Sequence, residues 1–399
     1  MRRALPAGII AIATARALPD AANHRAKVAC YIRRYGDLAR NFCRGPGDCD
    51  LAGAERHWTA RGWRENRTFG CATANHARER ELASRAACRW LWFAGMHEGA
   101  NAAAYRSQYA AALLTARENA PVLQPVLMLG RGGLDASDGL SKFGRWAQRR
   151  GALVFNVQRL AFQEHLDRLG FSEQFGNDHA QGPYLRLHAP VLIREHNLMT
   201  AGICSDVFLY TDCDTLFLNV DAHAMMHEAA RLSSHVWSFG PQKSPAEKSP
   251  QNTGVWLVNY RALARVYSDL LRFAVARKFR FREKSFDQGW IKEFSHSRRG
   301  TAIFLGPAWN YKVYWGGDAR AVKIVHFHGP KPGRGAWLAC LASQNAACMR
   351  DLSKVDHKYN QYVSAGFRAD GGHLANVSLG LYKAKLDSIA EADRWWDPE

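Results

Sequence analysis

Asp206-Val-Phe-Leu-Tyr-Thr-Asp-Cys-Asp-Thr-Leu-Phe-Leu218 is the stretch on which the reading of this chain turns. Val207 to Tyr210 is an apolar run rich in residues that suit a buried strand. Asp212 and Asp214 follow at once, and a second apolar run, Leu216 to Leu218, comes after them. Two carboxylates one residue apart at the carboxyl end of a buried strand repel each other and lose hydration, so they call for a cation. A hard divalent ion with oxygen ligands, Mg²⁺ or Mn²⁺, meets that need, and substrate phosphates often complete its coordination. Open α/β sheets present ligands beyond the carboxyl ends of their strands. The stretch therefore points to a metal–diphosphate site. Taken alone, the pair reads more simply as a turn in which one Asp caps the backbone and the other is solvated; the rest of the chain shifts the balance.

Working outward, the preceding segments alternate in type. Arg89 to Gly95 reads as a strand, Tyr105 to Asn119 as an Ala-rich helix, and Pro125 to Gly130 as a second strand. Ser141 to Arg150 is helical, Ala152 to Val157 a third strand, and Leu185 to Glu195 a helix with Leu185, Leu187, Val191 and Leu192 on its apolar side. This alternation predicts an α/β fold with a mainly parallel sheet. No G-x-G-x-x-G or P-loop follows any of these strands, so a dinucleotide or ATP-type phosphate cradle is not supported. Beyond the aspartates, His235 to Phe239 and Gly254 to Asn259 read as strands flanking a polar loop, Gly240 to Thr253, which carries Lys243 and Lys248. Ala262 to Lys278 and Phe286 to Phe294 are helical, with Ser285 or Asp287 placed to cap the latter. Leu305 to Tyr314 is rich in aromatics, and Val322 to Pro332 is a strand running into a loop that carries His and Lys.

Four motifs stand in order: Asp212-Cys-Asp214, Asn252-Thr-Gly-Val-Trp-Leu-Val-Asn259, Phe286-Asp-Gln288 and Val325-His-Phe-His-Gly-Pro-Lys-Pro332. Together they resemble glycosyltransferase family 8, over roughly residues 89 to 335. The resemblance implies a GT-A fold, a Rossmann-like α/β/α sandwich that binds a nucleotide-sugar, normally a UDP-sugar, with Mn²⁺ or Mg²⁺. It implies Asp212, Asp214 and His326 as metal ligands, with Asp212 also near the ribose. It places Asn252 near the donor sugar or acceptor, Gly329 and Lys331 at the leaving diphosphate, and Asp287 and Gln288 near the reacting carbon. It further implies retention at the anomeric carbon. His328 fits a loop histidine better than a ligand. The chain departs from the family's pattern at Gly289, where a second Asp is common, and at Gly333, where Trp usually follows Lys-Pro. Phe93-Ala-Gly-Met96 stands where the family carries its nucleotide contacts.

The chain has 399 residues, enough for two or three domains, and its 47% apolar content supplies a core. The net charge of +18 comes mostly from scattered Arg, with no long block and no nucleic-acid-binding motif. Most of it reads as solvated surface; the excess would also suit anionic glycan acceptors or association with a membrane surface, and no nucleic-acid partner is expected. No apolar run reaches the length of a bilayer span. Residues 1–23, opening Met1-Arg-Arg and ending an apolar run at Ala13-Thr-Ala15, have the shape of a signal or targeting segment. Residues 24–72 read as a small helical module stapled by cysteines, 85–335 as the glycosyltransferase domain, and 336–399 as an extension. In the module, Tyr31 to Phe42 and Ala52 to Arg61 are helices around the loop Arg44 to Asp48. Cys30, Cys43, Cys49 and Cys71 allow three disulfide pairings, and Cys340 with Cys348 offers another bridge. Sequons at Asn66 and Asn376 complete a pattern that points to the secretory pathway, Golgi lumen or exterior. Two rivals use other logic. A nucleotidyltransferase would share the metal site, and a non-enzymatic polyanion-binding protein would owe nothing to it.

Overall fold

The computed structural model describes residues 28–29, 32, 36–45, 48–57, 88–98, 102–130, 140–169, 181–199, 202–247, 252–281, 286–315, 318–328 and 372–389. The chain divides into two compact units, Met1–Arg85 and Ala86–Glu399.

The first unit holds helices Gly36–Phe42 and Leu51–His57. Between them the expected loop is a two-stranded hairpin, Cys43–Gly45 against Asp48–Cys49, closed by a Cys43–Cys49 disulfide. Among the described residues, Val28, Ile32 and Ala54 are buried, with Phe42 and Leu51 packed on them. Cys30, Cys71, Cys340, Cys348 and the Asn66 sequon lie outside the described residues.

The second unit is built on β1 (Trp90–His97), β2 (Leu123–Gly130), β3 (Leu153–Val157), β4 (Val207–Thr211), β5 (Thr215–Phe217), β6 (Trp237–Phe239), β7 (Val255–Asn259), β8 (Ala302–Phe304), β9 (Tyr311–Lys312) and β10 (Ile324–His326). A seven-stranded sheet has the order β8-β6-β7-β4-β1-β2-β3. It is parallel throughout except for β7, which runs against both β4 and β6. The α/β class with a mainly parallel sheet is thus the observed one.

The central strands are apolar on both faces because both faces are covered. Side chains alternate at period 2. Trp90, Trp92, Ala94 and Met96 of β1 enter one core with Val207 and Leu209 of β4 and Val255 and Leu257 of β7. Leu91, Phe93, Phe208, Tyr210, Trp256 and Val258 enter the other. Helices α1 (Ala102–Asn119) and α2 (Lys142–Arg149) supply Tyr109, Leu113, Phe143 and Trp146 to the first layer. Helices α3 (Ala189–Glu195), α4 (Ala222–Arg231), α5 (Tyr260–Ala276) and α6 (Phe286–Ser297) follow. Of these, α3, α5 and α6 bury Leu192, Leu270, Trp290 and Phe294 in the second layer. The stretch read as one helix from Leu185 to Glu195 is a 3₁₀ turn, Leu185–Leu187, followed by α3. Pro190 in the first turn of α3 has no N–H to continue the earlier ladder.

Near the carboxyl end, α7 (Gly372–Asp387) sends Leu374, Leu379, Tyr382 and Leu386 into the first core. Asn376 falls within this helix, where Ser378 is fully buried, so this sequon is not part of a surface loop. A Cys88–Cys204 disulfide, unforeseen from the spacing, ties the start of β1 to the segment before β4. No helix among the described residues is long and apolar enough to cross a membrane.

Candidate active site

Asp212 and Asp214 sit just past β4, at the carboxyl edge of the sheet. The β4–β7 register ends at Thr211↔Val255, and the Asp212 N–H then bonds to Gly254 O at 2.6 Å. The chain turns and re-forms as β5, which pairs antiparallel with β10 in a separate three-stranded sheet. In that register His326 lies opposite Thr215, and Phe327 N–H bonds to Asp214 O at 2.8 Å. A short strand pairing thus brings a histidine more than a hundred residues away against the Asp-x-Asp turn.

The three side chains converge. His326 Nε2 is 3.4 Å from Asp214 Oδ1 and 3.8 Å from Asp212 Oδ2. One donor atom from each residue lies within 4.8 Å of the others. Asp214 and His326 are buried, while Asp212 is partly open, its side chain 33% exposed. Gly254 borders the group. A Cβ there would stand 2.2 Å from His326 Cε1 and 2.8 Å from Asp212 Oδ2, so any side chain would occupy this space. Two carboxylates and one imidazole suit Mn²⁺ or Mg²⁺ with open positions for phosphate oxygens. Burial above all, with Lys312 adding to it, holds the His326 pKa well below its ordinary value against the pull of Asp214. The imidazole is therefore neutral, as a metal ligand must be.

A buried arginine organises the other side. Arg186, in the 3₁₀ turn before α3, is 5% exposed. Its Nη2 donates to Asp212 Oδ1 at 2.8 Å, its Nη1 to Thr253 O, and its Nε to Pro183 O at 3.0 Å. Asp287 Oδ2 lies 2.8 Å from Nε, an ion pair by proximity rather than an aligned hydrogen bond, since the Nε hydrogen is aimed at Pro183. The guanidinium also stands over the Tyr210 ring at 4.8 Å. Burial works against the Arg186 charge, and Asp212 and Asp287 together outweigh it, so the pKa rises. Asp287, at 2% exposure in the first turn of α6, has its pKa pushed up to about 7. Burial is the main cause; Asp212 adds to it, and Arg186 pulls the other way. Beside it, Gln288 Oε1 accepts from Thr253 N–H at 3.2 Å.

Of the residues singled out by sequence, Asp212, Asp214, His326, Asp287, Gln288 and Asn252 are brought to this one edge. Asn252 is knitted into the protein: its Oδ1 accepts from Gly254 N–H and from Asn310, and its Nδ2 donates to Gln242. His328 stands behind, its Nε2 3.0 Å from Gln242 Nε2. Gly329 and Lys331 lie outside the described residues. Sequence reasoning missed Arg186, Asn310 and Lys312. The signal for Arg186 was a charge wedged between Leu185 and Leu187 on a face read as apolar.

No protein-family profile matches the chain, and no curated protein sequence does. Among solved structures, it is similar to mouse xyloside xylosyltransferase 1 in its apo form, at 17% identity over 62% of this chain and 99% of that one, TM-score 0.37. It is also similar to a glycosyltransferase involved in glycosylation of the major capsid of PBCV-1, at 13% identity over 61% and 94%, TM-score 0.34. A third is the glycosyltransferase GlyE of Streptococcus pneumoniae TIGR4, at 12% identity over 75% and 64%, TM-score 0.40. Similarity at this level assigns no activity to the chain.

Proposed function

We propose that the chain is a metal-dependent glycosyltransferase that moves a sugar from a UDP-sugar to a glycan, protein or lipid acceptor. The convergence of Asp212, Asp214 and His326 at the carboxyl edge of a mainly parallel sheet carries this reading. Those three residues would hold Mn²⁺ or Mg²⁺. When bound, the ion supplies electrostatic stabilisation of the departing diphosphate.

The protein's own groups divide the remaining work. Arg186 holds Asp212 in place from behind, leaving Asp212 Oδ2 on the His326 side. Asp287 and Gln288 lie at the start of α6, one against Arg186 and the other against the Thr253 amide, so both are fixed beside the carboxylates. In this reading they act from beneath the donor, Asp287 by holding Arg186 and so Asp212, and Gln288 by holding the Thr253 segment, so that the sugar's anomeric carbon is oriented at this edge, which is the positioning term of catalysis. Lys331 supplies a further cation to the leaving diphosphate. Cys43–Cys49 and Cys88–Cys204 are disulfides of an oxidising compartment, which supports a lumenal or secreted setting, the Golgi lumen among them.

The test is release of UDP from a panel of UDP-sugars with Mn²⁺, comparing wild type with Asp214→Asn. Release by the wild type, abolished in the variant, supports the reading and names the donor sugar. Release of sugar 1-phosphate in its place, with the uridylyl group passing to an acceptor such as pyrophosphate, makes the chain a nucleotidyltransferase. Failure to bind both UDP and Mn²⁺ overturns the metal site and leaves a basic polyanion-binding protein.

A further inference from the structure

A chain of amides runs behind His326, away from the carboxylates. Asn310 and Lys312 are fully buried. Asn310 Oδ1 stands 2.9 Å from His326 Nδ1 and 2.7 Å from Lys312 Nζ. Gly240 makes room for the amide, since a Cβ there would fall 2.4 Å from Asn310 Nδ2.

The two ends of a side-chain amide are told apart by their partners, and here the partners decide. The Gly254 N–H can only donate. It meets the Asn252 side chain at 3.0 Å, so the atom it meets is Oδ1. That oxygen is 2.8 Å from the Asn310 amide, so Asn310 offers it the NH₂ group. Asn310 Oδ1 is thereby turned toward His326. Lys312, which has donors alone, agrees by bonding to the same oxygen. An oxygen facing Nδ1 calls for a hydrogen on Nδ1. The neutral imidazole then carries its proton there, and Nε2, the nitrogen facing Asp212 and Asp214, is bare.

The competing arrangement has Lys312 Nζ, also 3.0 Å from Nδ1, donating to it, with the proton on Nε2. That would set Asn310 Oδ1 against a lone pair at 2.9 Å, a closer clash than the 3.4 Å between Asp214 Oδ1 and a bare Nε2, where a bond from Nε2–H would be long. The amide cannot relieve the clash by flipping, because Asn252 holds its other end. An ammonium group, by contrast, can rotate its hydrogens away from Nδ1.

We infer that Asn310 is a positioning residue: oriented by the Gly254 backbone through Asn252, it keeps the His326 proton on Nδ1 and so presents a bare Nε2 as a metal ligand. Its metal part rests on the function proposed above, whereas the tautomer stands independently. A second-layer partner of this kind fixes the ring of a ligating histidine, and its removal typically lowers metal affinity about 10–100-fold.

The experiment uses the full chain with ¹⁵N-labelled histidine, free of metal. Long-range ¹H–¹⁵N correlation spectra give the tautomer, with the His326 signals identified by their loss in His326→Gln. The expected result is the Nδ1–H pattern in the wild type. Mn²⁺ affinity, read from free Mn²⁺ by electron paramagnetic resonance, should fall about 10–100-fold in Asn310→Leu. It should fall less in Asn310→Asp, which keeps an acceptor at Nδ1 but sets a carboxylate oxygen against Asn252 Oδ1 in place of the donated bond. The Nε2–H pattern in the wild type overturns the inference, as does unchanged Mn²⁺ affinity in folded Asn310→Leu. If Asn310→Leu does not fold, the wild-type spectrum decides. A wild type showing Nδ1–H but binding no Mn²⁺ supports the tautomer and sinks the metal-dependent function.

Discussion

Asp287 should make the protein less stable, a cost that the proposed sugar transfer would account for. Its carboxyl is buried, and its pKa is raised from 3.8 to about 7. A raised carboxyl pKa means that the folded state binds the proton more tightly than the unfolded chain does. Between pH 3.8 and about 7 the native state therefore carries more protons, and stability falls as pH rises. The window spans roughly three pH units at about 1.4 kcal/mol each, so the destabilisation reaches about 4 kcal/mol above pH 7. Asp287→Asn mimics the protonated form at every pH. Urea unfolding of both proteins in EDTA, from pH 4 to 8.5, isolates the effect, because other titrating groups cancel in the difference. The variant should match the wild type near pH 4 and exceed it by about 4 kcal/mol at pH 8. If the proposed function holds, it should also lose sugar transfer by about 100-fold or more, the pattern of a site residue kept for activity at the expense of stability. A difference that does not change with pH, or a variant less stable than wild type at pH 8, would refute the reasoning.

Other outcomes follow from the same contacts. Gly254→Ala places a methyl 2.2 Å from His326 Cε1, in a space with no room for it; titration calorimetry should show Mn²⁺ affinity reduced by about 10-fold or more, with the circular dichroism spectrum unchanged. Opening Cys88–Cys204, which spans 116 residues, should lower stability by about 5 kcal/mol. Denaturant unfolding of wild type and the Cys88→Ala/Cys204→Ala double variant measures it, and equal midpoints would show that the bridge contributes nothing.

What could be read from the sequence was whatever had a local signature. β1, β2 and β4 announced themselves because strands covered on both faces are continuous apolar runs. Asp212, Asp214 and His326 were legible as motifs. β5 and β8 were not, because at three residues each they are shorter than any periodicity can show. The helix α7 gave no motif to assign in the carboxyl-terminal stretch, yet it completes the first core. The Cys88–Cys204 pair was hidden by its distance in sequence, behind the denser cluster near the start. Arg186, Asn310 and Lys312 owe their roles to contacts across the fold. Alone, each is a polar residue inside an apolar or aromatic segment, and such a residue reveals its purpose only when its buried partners are known. The hairpin at Cys43–Cys49 was read as a loop because Gly45-Pro-Gly47 signals a turn without showing that the flanking residues pair.

The most direct test of the central claim is a crystal structure with Mn²⁺ and UDP, with anomalous scattering used to place the ion. The account predicts one Mn²⁺ within coordination distance of Asp212, Asp214 and His326 Nε2, bridged to both phosphates of UDP. An ion ligated elsewhere, or UDP bound away from the Asp212–Asp214 turn, would contradict it.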